Sequence, residues 1–435
     1  MCSEINSPRI VVSAISSLID RTIDIQVIDL QPQQEIEIRA RRTTNSLKPL
    51  SLESNAKYRA NNEGIVDLNT QQPLSGTYSG INGMGLFWSF EVLEVQENIK
   101  KDDRPSHPLS PHIITLSLLI DHVLVDEVEI KRLWLDEQIS RYSVKEHGLV
   151  GTYFYNENIT TPLPGIIILG GSEGGIYEYP AALLASHGFS VLALAYFGVE
   201  SLPKNLVNIP LEYVKTAIDW MKQRNEVTNG WLGIHGTSRG AELSLLSASL
   251  FPELRAAVAL NGFAVAFSGI VPWTDEKTLP PAWLYQDKPL PYLSPENPIA
   301  VALSCKDMWN ERRGNPLGQW YSALASDPEA TKKAEIQVEK INGPVLIISG
   351  EEDDVDTVGL SQRAIKRLEE HRSPYPYDHL IYPGAGHSIG IPNLMIAYKQ
   401  GNTKDNAYAS KDSWAKTIAF FKKSYYNYIM KEEIL

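Results

Sequence analysis

The sequence is poor in cysteine and lacks both an excess of basic residues and a long apolar segment. Its 435 residues include only two cysteines, Cys2 and Cys305, which argues against a disulfide framework, and isolated thiols are typical of a reducing compartment. The 40 basic residues are outnumbered by 52 acidic ones, giving a net charge of -12, which argues against non-specific binding to nucleic acid or to an anionic membrane. No apolar stretch has the length of a membrane-spanning helix, and the N-terminal segment lacks the basic leader and apolar run of a secretory signal. We therefore expect a cytoplasmic protein with neither a nucleic-acid nor a membrane partner.

The first 140 or so residues have the pattern of half-buried β-strands. Apolar and polar residues alternate within residues 22–30, 35–41 and 122–135, and a period of two predicts strands with one buried face. Short strands in series, separated by polar turns, are typical of a β-sandwich. We therefore predict an N-terminal Ig-like β-sandwich over residues 1–145, with a structural or substrate-shaping role.

From residue 146 onwards, apolar runs alternate with helical patterns. Predicted strands cover residues 165–169, 189–195, 231–234, 256–260 and 345–349, and another ends near Tyr382; predicted helices cover residues 179–187, 211–224, 241–250, 361–370 and 412–428. This alternation predicts an α/β domain over residues 146–435, with a mostly parallel sheet covered by helices on both faces. The stretch of about 265–340, rich in Pro, Trp and Tyr, is either a cap-like insertion that shapes a substrate pocket or a purely structural excursion.

The segment Gly236-Thr237-Ser238-Arg239-Gly240 lies between a predicted strand and a predicted helix. That context is the one a nucleophile elbow with the pattern G-x-S-x-G requires. Glycines relieve crowding where the tight turn forces the serine into a strained backbone conformation. The alternative is a serine that merely caps the helix. We predict that Ser238 is the nucleophile of an α/β-hydrolase.

A serine hydroxyl needs a positioned base, and in this fold the acid and then the histidine follow the serine along the chain. His387 ends the Gly-rich loop 382–387 directly after a predicted strand, whereas His371 lies at a charged helix end and His379 lies in or beside a strand. The acid is expected on the loop after the strand 345–349. Position alone leaves three candidates open there: Glu352, Asp353 and Asp354.

The oxyanion of an acyl-transfer intermediate needs two backbone N–H donors, one of which is expected from Arg239, directly after the nucleophile. The Gly-rich loop 170–175 follows the strand 165–169 and is expected to supply the second donor. Ser172 is the first candidate for this donor, and Gly171 is the second. The competing interpretation is a phosphate-binding loop, but the segment has neither the G-x-G-x-x-G pattern nor the lysine of a P-loop. No His, Cys and Asp residues have metal-ligand spacing, so we predict neither a cofactor nor a metal.

Taken together, the chain resembles the family of acyl-CoA thioesterases and bile acid-CoA:amino acid N-acyltransferases over nearly its whole length. The matching segments are residues 76–80 (GTYSG), 83–89 (GMGLFWS), 164–175 (PGIIILGGSEGG), 187–198 (HGFSVLALAYFG), 202–214 (LPKNLVNIPLEYV), 236–243 (GTSRGAEL), 343–354 (GPVLIISGEEDD) and 382–387 (YPGAGH). The resemblance implies an N-terminal β-sandwich and a C-terminal α/β-hydrolase domain. It also implies that Asp353 is the catalytic acid. When the family's glycine is aligned with Gly350, the family's catalytic aspartate falls on Asp353, and the interval from Asp353 to His387 matches the family's spacing.

Within the family that the chain resembles, thioesterases carry Ser at the nucleophile and the amino-acid-conjugating branch carries Cys. Ser238 therefore favours hydrolysis of a fatty acyl-CoA to the free acid. Mammalian members place a tryptophan shortly after the aspartate, where this chain has Asp354-Val355-Asp356. The alternatives are a carboxylesterase or lactone hydrolase, an acyl-CoA:amino acid N-acyltransferase and a non-catalytic binding protein, and the complete set of Ser, Asp and His argues against the last.

Overall fold

The computed structural model describes residues 7–44, 49–95, 109–199, 201–271, 279–310, 316–396 and 400–432. The chain divides into two compact units: Met1–Asp136 with Ile391–Ala397, and Glu137–Gly390 with Tyr398–Leu435. The first unit thus takes in a short segment that lies far along the chain, within the predicted second domain. None of the helices in the described ranges combines the length and the apolarity needed to cross a lipid bilayer.

The first unit is a β-sandwich, as predicted. Its alternating sequence buries one face of each main strand: in β4, Ile36, Ile38 and Ala40 are buried while the residues between them are more exposed. Among the described residues, the sheets have the strand orders β1-β3-β6 and β2-β10-β9-β4-β5-β7, with β8 paired to β5. The elements are β1 (Arg9–Val12), β2 (Ser16–Leu18), β3 (Ile25–Ile28), β4 (Glu35–Thr43), β5 (Leu50–Arg59), β6 (Val66–Asp67), β7 (Ser75–Gly76), α1 (Gly85–Trp88), β8 (Glu91–Val95), β9 (His112–Ile120) and β10 (Val123–Leu133).

Among the described residues, the second unit has a main sheet with the order β11-β12-β14-β13-β16-β17-β20-β21 and a three-stranded sheet with the order β15-β18-β19. In the main sheet, β14, β13, β16, β17, β20 and β21 run parallel, and β12 pairs antiparallel with both β11 and β14. The strands are β11 (Ile139–Val144), β12 (Val150–Asn156), β13 (Leu163–Leu169), β14 (Ser190–Ala195), β15 (Ile209–Pro210), β16 (Val227–Thr237), β17 (Leu254–Leu260), β18 (Trp283–Tyr285), β19 (Lys288–Pro289), β20 (Val345–Gly350) and β21 (Tyr377–Tyr382), and the helices are α2 (Glu178–Ser186), α3 (Glu212–Lys222), α4 (Arg239–Leu250), α5 (Pro298–Asn310), α6 (Pro316–Leu324), α7 (Pro328–Ala334), α8 (Thr357–Glu370) and α9 (Thr403–Glu432). The predicted α/β-hydrolase fold is confirmed.

The central strands of this sheet are apolar throughout because both faces of the sheet are covered. All residues of β14 and β20 are buried, and Ile166, Ile167 and Ile168 of β13 are fully buried. Parallel strands end at the same edge of a sheet, and in open α/β sheets ligands bind beyond the carboxyl ends of the strands. The predicted nucleophile, acid and histidine follow β16, β20 and β21, and therefore lie along one edge.

The segment between β17 and β20 contains α5, α6 and α7, the short strands β18 and β19, and an apolar cluster. That cluster joins the start of the insertion to α6 and to the loop after β20, and its buried members are Phe263, Val265, Phe267, Leu293, Leu324, Ala334, Val355 and Leu360. The rings of Phe263, Phe267 and Tyr321 meet with centroids 4.8–4.9 Å apart. Residues 272–278 and 311–315 of the Pro-, Trp- and Tyr-rich stretch, Trp273 among them, lie outside the described part of the chain.

Candidate active site

Ser238 lies in a strained turn between β16 and α4. Its φ of 54° and ψ of -120° fall where a side chain is rarely accommodated, and its N–H donates to Leu260 O at 2.8 Å. The two neighbouring glycines permit this turn by close approach. A Cβ at Gly236 would lie 1.9 Å from Gly240 O, and a Cβ at Gly240 would lie 2.2 Å from Gly170 O. The geometry is that of a nucleophile elbow.

The structure brings Asp353 and His387 together. His387 Nδ1 lies 2.7 Å from Asp353 Oδ2, and the Asp353 side chain is 1% exposed whereas that of His387 is 28% exposed. Asp353 Oδ1 accepts from the N–H of Val355 at 3.1 Å, and Oδ2 also accepts from Thr357 Oγ1 at 3.1 Å. A buried carboxylate held by these donors can fix the tautomer and orientation of an imidazole whose other nitrogen remains accessible.

The other acidic residues of this loop have different environments. Glu352 is exposed, and Asp356 caps α8 by accepting from the N–H of Gly359 at 3.1 Å. Asp354 is half-buried, and burial together with the nearby charge of Asp353 raises the pKa of its carboxyl group. Asp353 makes a hydrogen bond of 2.7 Å with the His387 ring.

Polar side chains that the sequence analysis did not single out hold the His387 loop in place. Asn261, directly after β17, donates from Nδ2 to His387 O at 3.0 Å, and Gln400 Oε1 accepts from the N–H of His387 at 3.3 Å. Asn406 Oδ1 accepts from the N–H of Gly386 at 2.9 Å. Asn261 follows a central strand directly and has a φ of 47°. Its position after the strand between the nucleophile and the acid was the signal that could have revealed it.

The two competing histidines lie on other elements. His379 lies on β21, where its Nε2 is 2.9 Å from Ser349 Oγ, and burial lowers its pKa to about 4. His371 is the exposed C-cap residue of α8. The described residues include no hydrogen bond between the Ser238 hydroxyl and the His387 ring, and catalytic hydrogen bonds often reach their final length and alignment only in the complex with substrate.

The predicted oxyanion loop begins beside Ser238. A Cβ added to Gly171 would lie 3.2 Å from Ser238 Cβ, so Gly171 is packed against the serine, while the Ser172 side chain is exposed. The N–H of Gly171 contacts Glu173 Oε1 at 3.4 Å, a long and therefore weak hydrogen bond. Of the two predicted donors on this loop, Gly171 is the one whose missing Cβ would lie beside Ser238.

The Arg239 side chain points away from solvent into a buried ion pair. Arg239 Nε lies 3.0 Å from Glu242 Oε2, with side chains that are 2% and 0% exposed. Arg239 also donates to Ser268 O at 3.1 Å and Phe267 O at 3.3 Å, and Glu242 Oε1 accepts from the N–H of Phe267 at 3.0 Å and from Trp283 Nε1. Although burial opposes its charge, the Glu242 carboxylate holds the pKa of Arg239 above its ordinary value. The first turn of α4 thus anchors the start of the insertion.

Family models match both parts of the chain. The model for the acyl-CoA thioester hydrolase/BAAT N-terminal region matches residues 20–146, and the model for the BAAT/acyl-CoA thioester hydrolase C terminal matches residues 209–427. The chain belongs to the acyl-CoA thioester hydrolase/BAAT family. The family predicted from the sequence motifs is therefore confirmed.

Relatives from both branches of this family resemble the chain equally. Acyl-coenzyme A thioesterase 1 of Mus musculus is 30% identical over 423 residues, covering 93% of this chain and 93% of the relative. Acyl-coenzyme A amino acid N-acyltransferase 1 of Mus musculus is also 30% identical, over 437 residues that cover 95% of this chain and 97% of the relative. Mitochondrial acyl-coenzyme A thioesterase 2 of Rattus norvegicus is 30% identical over 423 residues, or 93% and 86% of the two chains. Because a thioesterase and an N-acyltransferase are equally similar to this chain, overall similarity does not distinguish hydrolysis from transfer to an amino acid.

Proposed function

We propose that this chain is a serine-dependent acyl-CoA thioesterase that hydrolyses fatty acyl-CoA to the free acid and CoA. The observation that carries the proposal is the buried contact between Asp353 and His387 at 2.7 Å, at the same sheet edge as the strained Ser238 elbow. Order along the chain, strand positions and backbone conformation all match the requirements of a Ser–acid–His hydrolase.

In the proposed reaction, Ser238 Oγ forms a bond to the thioester carbon while its proton passes to His387 Nε2. The carbonyl electron pair moves onto oxygen, and the N–H groups of Arg239 and Gly171 stabilise the oxyanion. Collapse of this intermediate breaks the C–S bond, and the departing thiolate takes the proton from His387. A water molecule then attacks the acyl-serine as His387 takes one of its protons. The second intermediate collapses by breaking the bond between Ser238 Oγ and the acyl carbon, and His387 returns the proton to Oγ as the fatty acid leaves. Asp353 holds the imidazole in the required tautomer throughout.

Gly171 is preferred to Ser172 as the loop donor because Gly171 is packed against Ser238. Its contact with Glu173 is long, and Glu173 is exposed, so a substrate oxygen can replace that carboxylate at little cost. The catalytic set proposed here is therefore Ser238, His387 and Asp353, with Arg239 and Gly171 as oxyanion donors.

Hydrolysis is proposed over transfer to an amine because of the nucleophile. An oxygen ester on Ser238 is less reactive towards amines than a thioester would be, so water is the expected acceptor. The proposed compartment is the cytoplasm, on the basis of the two isolated cysteines, of which Cys305 is buried and unpaired.

The test is thiol release from a panel of acyl-CoA substrates, with simple esters assayed in parallel. The Ser238→Ala enzyme should lose roughly 10⁴–10⁶-fold in kcat, whereas Ser249→Ala, a control at the far end of α4, should retain wild-type activity. Circular dichroism should show that both variants are folded. Ester turnover without thiol release from any acyl-CoA would favour the carboxylesterase alternative, and undiminished activity of Ser238→Ala would exclude the serine mechanism.

A further inference from the structure

Tyr196 is a buried residue to which the mechanism has so far given no role. It directly follows β14 and is 2% exposed. Its hydroxyl lies 2.7 Å from Gly170 O and 3.3 Å from Gly171 O. Burial raises the pKa of the phenol, so the hydroxyl stays protonated and is the donor to these carbonyl groups.

The geometry of a peptide links these carbonyl groups to the proposed oxyanion donors. In a planar trans peptide the C=O and the N–H point in opposite directions. Fixing Gly170 O towards Tyr196 therefore directs the N–H of Gly171 away from Tyr196. Fixing Gly171 O has the same effect on the N–H of Ser172. A single buried hydroxyl thus restrains the two successive peptides from which the loop donor must come.

The composition of this loop explains why such a restraint is needed. Residues 170–175 include four glycines, and glycine has little intrinsic preference among backbone conformations. The start of α4 is also close to Gly170 O, since a Cβ at Gly240 would be 2.2 Å away. The carbonyl therefore lies near both the Tyr196 hydroxyl and the helix that follows Ser238. Oxyanion donors lower a barrier only when they are oriented before the reaction.

We propose that Tyr196 is a positioning residue of the oxyanion hole, whose hydroxyl orients the Gly170–Gly171 peptide so that the N–H of Gly171 faces the developing oxyanion. This inference rests on the proposed function, since it takes Ser238 as the nucleophile and Gly171 as a donor. Tyr196 itself does not touch the substrate.

The test compares Tyr196→Phe with Tyr213→Phe. Tyr213 is a matched control because its hydroxyl also bonds backbone groups, donating to Ala195 O at 2.9 Å and accepting from the N–H of Val150 at 3.0 Å, neither of which belongs to the loop 170–175. Tyr196→Phe should lower kcat about 10-fold or more with KM little changed. Tyr213→Phe should leave both parameters at wild-type values, although both variants lower the melting temperature.

A second readout separates positioning from simple loss of structure. An acyl trifluoromethyl ketone captures the oxyanion: Ser238 Oγ adds to the ketone carbon, its proton passes to His387, and the carbonyl oxygen becomes an alkoxide. Tyr196→Phe should weaken this adduct by the same factor as kcat, and should leave the affinity for an unreactive acyl-CoA thioether unchanged. A lowered melting temperature with wild-type kcat and adduct affinity would reduce Tyr196 to a structural role and overturn the proposal.

Failure of the underlying function has a different signature. In that case the wild-type enzyme would release no thiol, and Ser238→Ala would bind the ketone as tightly as the wild type. The thioesterase proposal and the positioning proposal would then both be rejected. Wild-type activity of Tyr196→Phe together with an inactive Ser238→Ala would reject only the positioning role.

Discussion

Asp353 differs from its acidic neighbours in what its carboxylate touches. Its two oxygens meet His387, Val355 and Thr357, whereas the neighbouring carboxylates are exposed, half-buried or used as a helix cap. Asp353→Asn should reduce kcat about 10⁴-fold, because an amide at this position can hold the imidazole in the wrong tautomer. Steady-state thiol release measures this effect.

The matched control is Asp354→Asn, which removes a carboxyl group one residue away. Its effect on kcat should be smaller than that of Asp353→Asn, because Asp354 is only half-buried, whereas Asp353 makes the 2.7 Å contact with His387 Nδ1. If Asp354→Asn were the more damaging change, the assignment of the acid would have to move by one residue.

At the scale of elements, the first turn of α4 stabilises the segment that opens the insertion. The Arg239–Glu242 pair is buried, and each partner also binds a backbone group of Phe267. Glu242→Gln leaves the Arg239 charge buried without its partner and should lower the free energy of unfolding by about 3–5 kcal/mol. The double variant Arg239→Met/Glu242→Gln should lose less than the sum of the single variants, by about 1–3 kcal/mol.

Urea unfolding of the single and double variants measures this coupling. The control is Glu370→Gln on α8, since Lys366 and Glu370 form an exposed pair at 3.7 Å and such pairs contribute at most about 1 kcal/mol. Additive losses for Arg239→Met and Glu242→Gln would show that the two side chains act independently.

The strands and helices around the site were predicted well because their sequence patterns are local. Apolar strands followed by glycines mark the elbow and the two loops that carry Asp353 and His387. The supporting contacts were not predictable in the same way. Asn261 and Gln400 bind the His387 loop through hydrogen bonds between residues that are separated along the sequence. A local sequence pattern does not predict such partners.

Helix boundaries were missed where buried positions are not hydrophobic. The last helix was predicted over residues 412–428 but begins at Thr403, because the buried residues of its first turns include Asn406 and Ser410. Polar side chains such as these can be buried because they form hydrogen bonds. Asn406, for example, donates to Gln400 O at 2.7 Å. A hydrophobic period therefore marks only the part of the helix where Trp414 and Phe421 are buried.

At the scale of the whole molecule, similarity does not distinguish hydrolysis from transfer, because a thioesterase and an N-acyltransferase are each 30% identical to this chain. The distinction must come from chemistry at the nucleophile. A serine ester and a cysteine thioester differ in their reactivity towards amines, while the surrounding elbow requires only a small side chain that bears the attacking atom. The fate of the acyl group should therefore depend on one atom.

The wild-type enzyme should convert acyl-CoA almost entirely to free fatty acid, even at high glycine or taurine concentration. Ser238→Cys should hydrolyse acyl-CoA more slowly and convert a larger fraction of the acyl groups to the amide, because the cysteine thioester reacts more readily with amines than the serine ester does. Mass spectrometry of the products, with total CoA release as the reference, measures this fraction. Ser238→Ala is the control for any uncatalysed reaction of the amine with acyl-CoA. Substantial amide from the wild-type enzyme, well above that control, would identify a transferase and reject the thioesterase.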